Sequence, residues 1–243
     1  MRILVAGDSW TAGYGVDEKD RWSSLLKRHG HDVTNVASSG SGNASIEWEI
    51  LKNWDYHDLI IVGWSSVSRV YLDSTPRPTR MIEIVMDENN NSGGKVSENL
   101  QARVDFFESG NSFEKMFYNF KKQIKNIETL PCNVLHFTVF GDKLPVKVKH
   151  KLDISYLEFL ANLGGYNFLY DLPFFEYGFL NNDVNGLIEK FCDTYFPKDW
   201  KYACYERELP VLDGCKYFLM CGHPSELGHK EWSAKIEQTI HTL

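Results

Sequence analysis

The segment Ile3-Leu4-Val5-Ala6-Gly7-Asp8-Ser9-Trp10-Thr11-Ala12-Gly13-Tyr14-Gly15 governs how the rest of this chain is understood. Its first four residues are apolar and stop at Gly7. That is the form of a strand buried on both faces of a parallel sheet. In open parallel sheets, ligands bind just beyond the carboxyl ends of the strands, where Asp8 and Ser9 stand. Ser9 is thus placed to act as a nucleophile, and equally placed to cap a following helix or turn. Gly13 and Gly15 admit tight turns and a close approach of backbone to a ligand.

Outward from that segment, strand and helix patterns alternate. Trp22, Leu25 and Leu26 form one stripe between Asp20 and Arg28 and predict a helix stopped by Gly30. A second strand is expected over 32–37. The turn Ser38-Ser39-Gly40-Ser41-Gly42-Asn43 follows it, and then a helix over 44–54. Leu59-Ile60-Ile61-Val62, ending at Gly63, reads as a third, fully buried strand. Asn111-Ser112-Phe113-Glu114 has the cap spacing of a helix start, and Phe113, Phe117, Phe120, Ile124 and Ile127 continue it to about Thr129, ahead of Pro131. The remaining expectations are a strand over 133–140, a helix over 152–163, a short strand over 168–172, a helix over 186–195 and a last helix over 225–242. The alternation predicts a three-layer α/β sandwich around a mostly parallel sheet of about five strands.

Two stretches do not follow the pattern. Residues 66–110 hold Thr75-Pro76-Arg77-Pro78 and Asp87-Glu88-Asn89-Asn90-Asn91-Ser92-Gly93-Gly94, which are loop formers, with a possible short strand over 81–86. This is expected to be an insertion, either a lid over the active edge or a plain surface loop. The aromatic-rich part from Pro173 to Tyr217 gives no clear order.

Composition bounds the rest. The 243 residues, 43% hydrophobic and 24% charged, suffice for one α/β domain spanning 1–243. A net charge of −7 with no Lys/Arg run gives no nucleic-acid footprint. The five cysteines have no metal or redox spacing and read as buried free thiols in a reducing compartment. Met1-Arg2 runs straight into the first strand, leaving no room for a signal peptide, and no apolar run reaches membrane length. A soluble, cytoplasmic protein is expected.

The far end of the chain reads Gly222-His223-Pro224-Ser225-Glu226-Leu227-Gly228-His229. A serine hydroxyl needs a base within hydrogen-bond reach. Among the eight histidines, His223 is the best placed, in a loop before the last helix, with Pro224 suited to a first helical turn. His229 falls on the helix and reads as structural. Cys221, two residues before His223, is the rival nucleophile.

Gly7-Asp8-Ser9 and His223-Pro224 together resemble the SGNH (GDSL-type) hydrolases. That family opens with Gly-Asp-Ser on the first strand and closes with Asp-x-x-His-Pro before the last helix. The resemblance implies a flavodoxin-like sheet, Ser9 as nucleophile and His223 as general base, with no metal or organic cofactor. Asn35-Val36-Ala37-Ser38-Ser39-Gly40 is similar to the family's second block, whose glycine donates a backbone N–H. Gly40, or Gly42 in a shifted register, would thus join the Ser9 N–H in an oxyanion hole. The third block departs: Gly63-Trp64-Ser65-Ser66 puts Ser65 where the family has an asparagine donor. Asn43 is a candidate to reach the same point. The last block departs too, with Met220 at the position of the family's Asp. Asp213, Glu226 or a main-chain carbonyl is then expected to orient His223. Asp8 is expected to stabilise a turn. Arg69 and Trp10 are further substrate-binding candidates.

The function implied is hydrolysis of an O-acetyl or short acyl ester through an acyl-enzyme on Ser9, the substrate being a small molecule or glycan. Two other readings use the same residues: an acyltransferase, and a degenerate glycan- or protein-binding module. A phosphate-binding protein ranks behind them, for want of a Gly-x-x-x-x-Gly-Lys loop.

Overall fold

The computed structural model describes residues 1–66, 69–71, 81–83, 113–140, 144–164, 216–219 and 223–243. Its main sheet contains β1 (Arg2–Ala6), β2 (Asp32–Asn35), β3 (Leu59–Trp64), β6 (Asn133–Thr138) and β7 (His150–Lys151). Their order is β2-β1-β3-β6-β7 and every pairing is parallel. The chain goes outward from β1 to β2, then crosses back to β3 on the other side. This is the doubly wound order, with its switch point between β1 and β3. The expected three-layer α/β class with a five-stranded parallel sheet is thus the observed one.

The period of two along each strand sorts the core into two layers. Ile3, Val5, Ile61, Leu135 and Phe137 face one side and pack with Trp22 and Leu26 of α2 (Trp22–Arg28) and Trp232, Ile236 and Ile240 of the last helix. Tyr156, Leu157 and Leu160 of α5 (Tyr156–Leu163) join them. Leu4, Ala6, Ile60, Val62 and Val134 face the other side. They meet Ile46 and Ile50 of α3 (Asn43–Asn53) and Phe120, Ile124 and Ile127 of α4 (Phe113–Glu128). The last helix, α6, spans Glu226–Ile240. No helix among the described residues is long and apolar enough to cross a membrane.

Several elements differ from the expectation. Ser9–Ala12 is a one-turn helix, α1, ended by Gly13 in the left-handed region at φ 76°. The expected helix over 152–163 begins at Tyr156, because Ser155 and Glu158 form a reciprocal capping box there. Just upstream, His150 and Lys151 add a two-residue edge strand that carries no apolar alternation. The strand expected over 168–172 and the helix over 186–195 lie outside the described residues. Of the insertion, Arg69–Tyr71 (β4) and Met81–Glu83 (β5) form a separate antiparallel pair.

His136, buried on β6, is satisfied within the second layer. Trp64 donates its indole N–H to Nδ1 at 2.9 Å, so the imidazole proton sits on Nε2 and is donated to Glu128 at 2.8 Å. That hydrogen bond holds the Glu128 carboxyl below its ordinary range.

Candidate active site

Ser9 follows directly from the end of β1. Asp8 is the N-cap of α1, its Oδ1 accepting the Trp10 N–H at 3.1 Å. The next residue, Ser9, therefore occupies the first helical position, where a backbone N–H has no acceptor inside the helix. Gly7 and Gly63 leave room for the buried Thr11 side chain, which fills the space any Cβ would take at either position. The helical turn can thus sit down on the ends of β1 and β3.

His223 arrives from the other end of the chain. Its loop is fastened to residues 216–219: Leu219 donates its N–H to the His223 carbonyl at 2.8 Å, and Ser225 donates its N–H to the Tyr217 carbonyl at 2.9 Å. Phe218 and Pro224 form an antiparallel bridge between them. Ser225 then caps α6, its hydroxyl accepting the Gly228 N–H and donating to the Lys216 carbonyl. The outcome is a hydrogen bond between Ser9 Oγ and His223 Nε2 at 3.0 Å, across 214 residues of sequence. With the imidazole proton on Nδ1, Ser9 donates to Nε2, the arrangement a general base needs.

The other expected residues are placed as follows. Gly40 lies in the turn after β2 with φ 74°, a conformation that favours glycine. That turn is attached to β1, because Val36 donates to the Val5 carbonyl and Ser38 to the Gly7 carbonyl, at 2.8 and 3.1 Å. Gly40 therefore belongs to a segment that tracks the backbone leading into Ser9.

Ser65 is fully buried at the end of β3, and its hydroxyl donates to Asp8 Oδ2 at 3.0 Å. A hydroxyl has one proton to give, so in this arrangement Ser65 is not aimed at an oxyanion. Asn43 is likewise occupied. Its amide nitrogen donates to the Ser65 carbonyl at 3.1 Å and its oxygen accepts the Ser65 N–H at 2.9 Å. Asn43, Ser65 and Asp8 form a strut from α3 through the end of β3 to the cap of α1. The expected turn-stabilising role of Asp8 is observed, extended by its bond to Ser65.

Trp10 differs from the expectation. It is 4% exposed and packs edge-on against Phe140, Tyr156 and Phe218, so it is a wall of the core rather than a substrate surface. Arg69 is the first residue of β4. Glu226 is exposed in the first turn of α6. Asp213, Met220, Cys221 and Gly222 lie outside the described residues.

His229 is buried on α6, with Nδ1 in a hydrogen bond to Tyr156 Oη at 3.0 Å, as its structural reading implied. Burial, reinforced by Arg21 and by the charge that His223 carries when it is protonated, pushes its pKa down to about 3. It is therefore neutral at ordinary pH. Tyr14 was not singled out from sequence, yet its ring centroid lies 5.0 Å from that of His223. The only signal for it was its position between Gly13 and Gly15.

The switch-point sheet, Ser9 beyond β1 and His223 ahead of the last helix give the layout that the sequence resemblance implied. The strand order is that of a flavodoxin-like, doubly wound sheet. No protein-family model and no curated protein sequence matches the chain. Solved structures similar to it include that of TesA, at 16% identity and TM-score 0.45, over 99% of this chain and 98% of that one. A lipolytic protein of the G-D-S-L family from Veillonella parvula DSM 2008 is similar at 13% identity and TM-score 0.43, over 100% of both chains. AlinE4, an SGNH-hydrolase family esterase, is similar at 16% identity and TM-score 0.35, over 99% of this chain and 95% of that one.

Proposed function

We propose that this protein is a serine hydrolase of the SGNH type, cleaving a small carboxylic ester through an acyl-enzyme on Ser9. The single observation that carries the reading is the 3.0 Å contact between Ser9 Oγ and His223 Nε2 at the switch point of the sheet. His223 takes the hydroxyl proton as Ser9 Oγ attacks the carbonyl carbon. The tetrahedral intermediate collapses, the bond to the leaving alkoxide breaks, and His223 returns the proton to the departing alcohol. Water, deprotonated by the same imidazole, then releases the acid and restores Ser9. The Ser9 and Gly40 N–H groups are the proposed oxyanion donors. Ser65 and Asn43 hold the cap of the nucleophile turn in this reading, rather than donating to the oxyanion. An O-acetyl or short acyl ester of a small molecule or glycan is the proposed substrate.

An activity-based fluorophosphonate probe tests the reading directly. The expected result is a single phosphonylated peptide containing Ser9, with labelling lost in Ser9→Ala, alongside turnover of p-nitrophenyl acetate. Absence of both labelling and turnover, or undiminished labelling of Ser9→Ala, overturns it.

A further inference from the structure

Tyr14 has no part in the chemistry just described, yet its ring stands beside the base. The turn Gly13-Tyr14-Gly15 follows the helical turn that carries Ser9, and it sets the phenol ring 5.0 Å from the imidazole at 49° between planes. Among the described residues, Trp10 is the other ring beside His223, further away at 6.5 Å. A cation within about 6 Å of an aromatic centroid is attracted to the negative face of the ring. His223 is neutral before the reaction and becomes a cation as it takes the proton from Ser9. An interaction with the cation alone is strongest in the transition state, which is the condition for raising a rate.

We propose that Tyr14 is a positioning residue whose aromatic ring stabilises the imidazolium of His223 during acyl transfer. The proposal rests on the serine-hydrolase reading of the Ser9–His223 pair. The ring, rather than the hydroxyl, is the active part.

The charged and titratable groups on the described elements around His223 are common to wild type and to the Tyr14 variants, so a difference between them reads the ring. On α6, His229 is buried and neutral, and Glu226 is exposed. On the α1 side, the Asp8 carboxylate accepts from the Trp10 N–H and the Ser65 hydroxyl. The Arg21 side chain lies across Gly13, adding positive charge and opposing the imidazolium. On the 216–219 segment, Lys216 Nζ sits over the Tyr217 ring at 5.1 Å.

The test compares wild type, Tyr14→Phe and Tyr14→Leu by the pH dependence of kcat and kcat/KM for p-nitrophenyl acetate. In parallel, the His223 imidazole is titrated by NMR, its resonance assigned by its loss in His223→Gln. Removing the ring makes the cation less favourable, so Tyr14→Leu is expected to lower kcat about threefold with KM little changed. The acid limb of the profile and the His223 titration should both move down by about half a pH unit, the same free energy seen twice. Tyr14→Phe should match wild type in all three readouts. The proposal is overturned if the limb and titration of Tyr14→Leu stay in place, if only KM changes, or if Tyr14→Phe behaves like Tyr14→Leu. Should the wild type turn over no ester, the hydrolase reading fails, and the NMR titration alone decides whether Tyr14 favours the imidazolium.

Discussion

Ser9 and His223 meet at 3.0 Å although neither lies near the other in sequence. A serine at a strand end is common, and so is a histidine before a helix; the shared hydrogen bond is what turns two ordinary residues into a unit. Units of this kind lose function non-additively. Ser9→Ala and His223→Ala should each reduce ester turnover by about a thousandfold or more, and the double variant should be little worse than either. Steady-state rates of the three purified variants check this, and additive losses would show that the two side chains do not act together. Cys221→Ser, measured beside them, should keep the wild-type rate. Both halves of the pair were legible in the sequence because each sits in a short block with turn residues around it. Tyr14 was not legible: its ring meets His223 in three dimensions only, and Gly-Tyr-Gly reads equally well as punctuation.

The helical turn α1, the end of β3 and the start of α3 depend on one another through side chains. Asn43 pairs with both backbone groups of Ser65, much as a neighbouring strand would, and Ser65 passes the constraint to Asp8. Asn43→Ala removes these bonds from the buried N–H and C=O of Ser65, and a buried polar group that loses its bond costs about 1–3 kcal/mol. The expected outcome is a lowered denaturant midpoint with an unchanged slope, together with a fall in kcat as the nucleophile turn loosens. If stability drops while kcat holds, the strut supports the sheet and not the site. The strands β1 and β3 were readable as apolar runs because both of their faces are buried. The edge strand His150–Lys151 was not, since its position leaves it without a pattern, and the cap at Ser155 outweighed the apolar Leu152 and Ile154 upstream. Strut contacts between side chain and distant backbone leave no periodic trace at all.

Over the whole molecule, α6 closes one layer of the core, and it does so with a histidine inside. His229 titrates near 6.5 in an unfolded chain but at about 3 when folded. Between those values the unfolded chain binds a proton that the folded chain refuses, so stability is complete above about 6.5 and is lost as the pH falls through this window. Asp58, lowered to about 2 by its hydrogen bonds from Arg2, contributes in the same direction only below its ordinary value of 3.8. Chemical denaturation from pH 7 down to pH ~4.5 thus follows the histidine, with Glu47, whose carboxyl is pushed up by burial, opposing it toward the acid end. His229→Gln, which can still bond Tyr156, should be less stable than wild type at pH 7 yet flatten the slope through that window. An unchanged slope would mean that His229 is protonated in the folded state.

In the proposed mechanism, the fastening of the His223 loop to residues 216–219 also sets when the protein becomes reactive. On the ribosome, Ser9 emerges ahead of His223, and its strand acquires both neighbours once Trp64 has been made. Its hydroxyl has no base until residue 223 has been synthesised and α6 has docked against α2. The loop that must close spans 214 residues, so the partnership forms after the local contacts of the sheet. A nascent or truncated polypeptide would carry a finished nucleophile turn and remain chemically silent, which makes turnover a reporter of the last docking event rather than of the sheet.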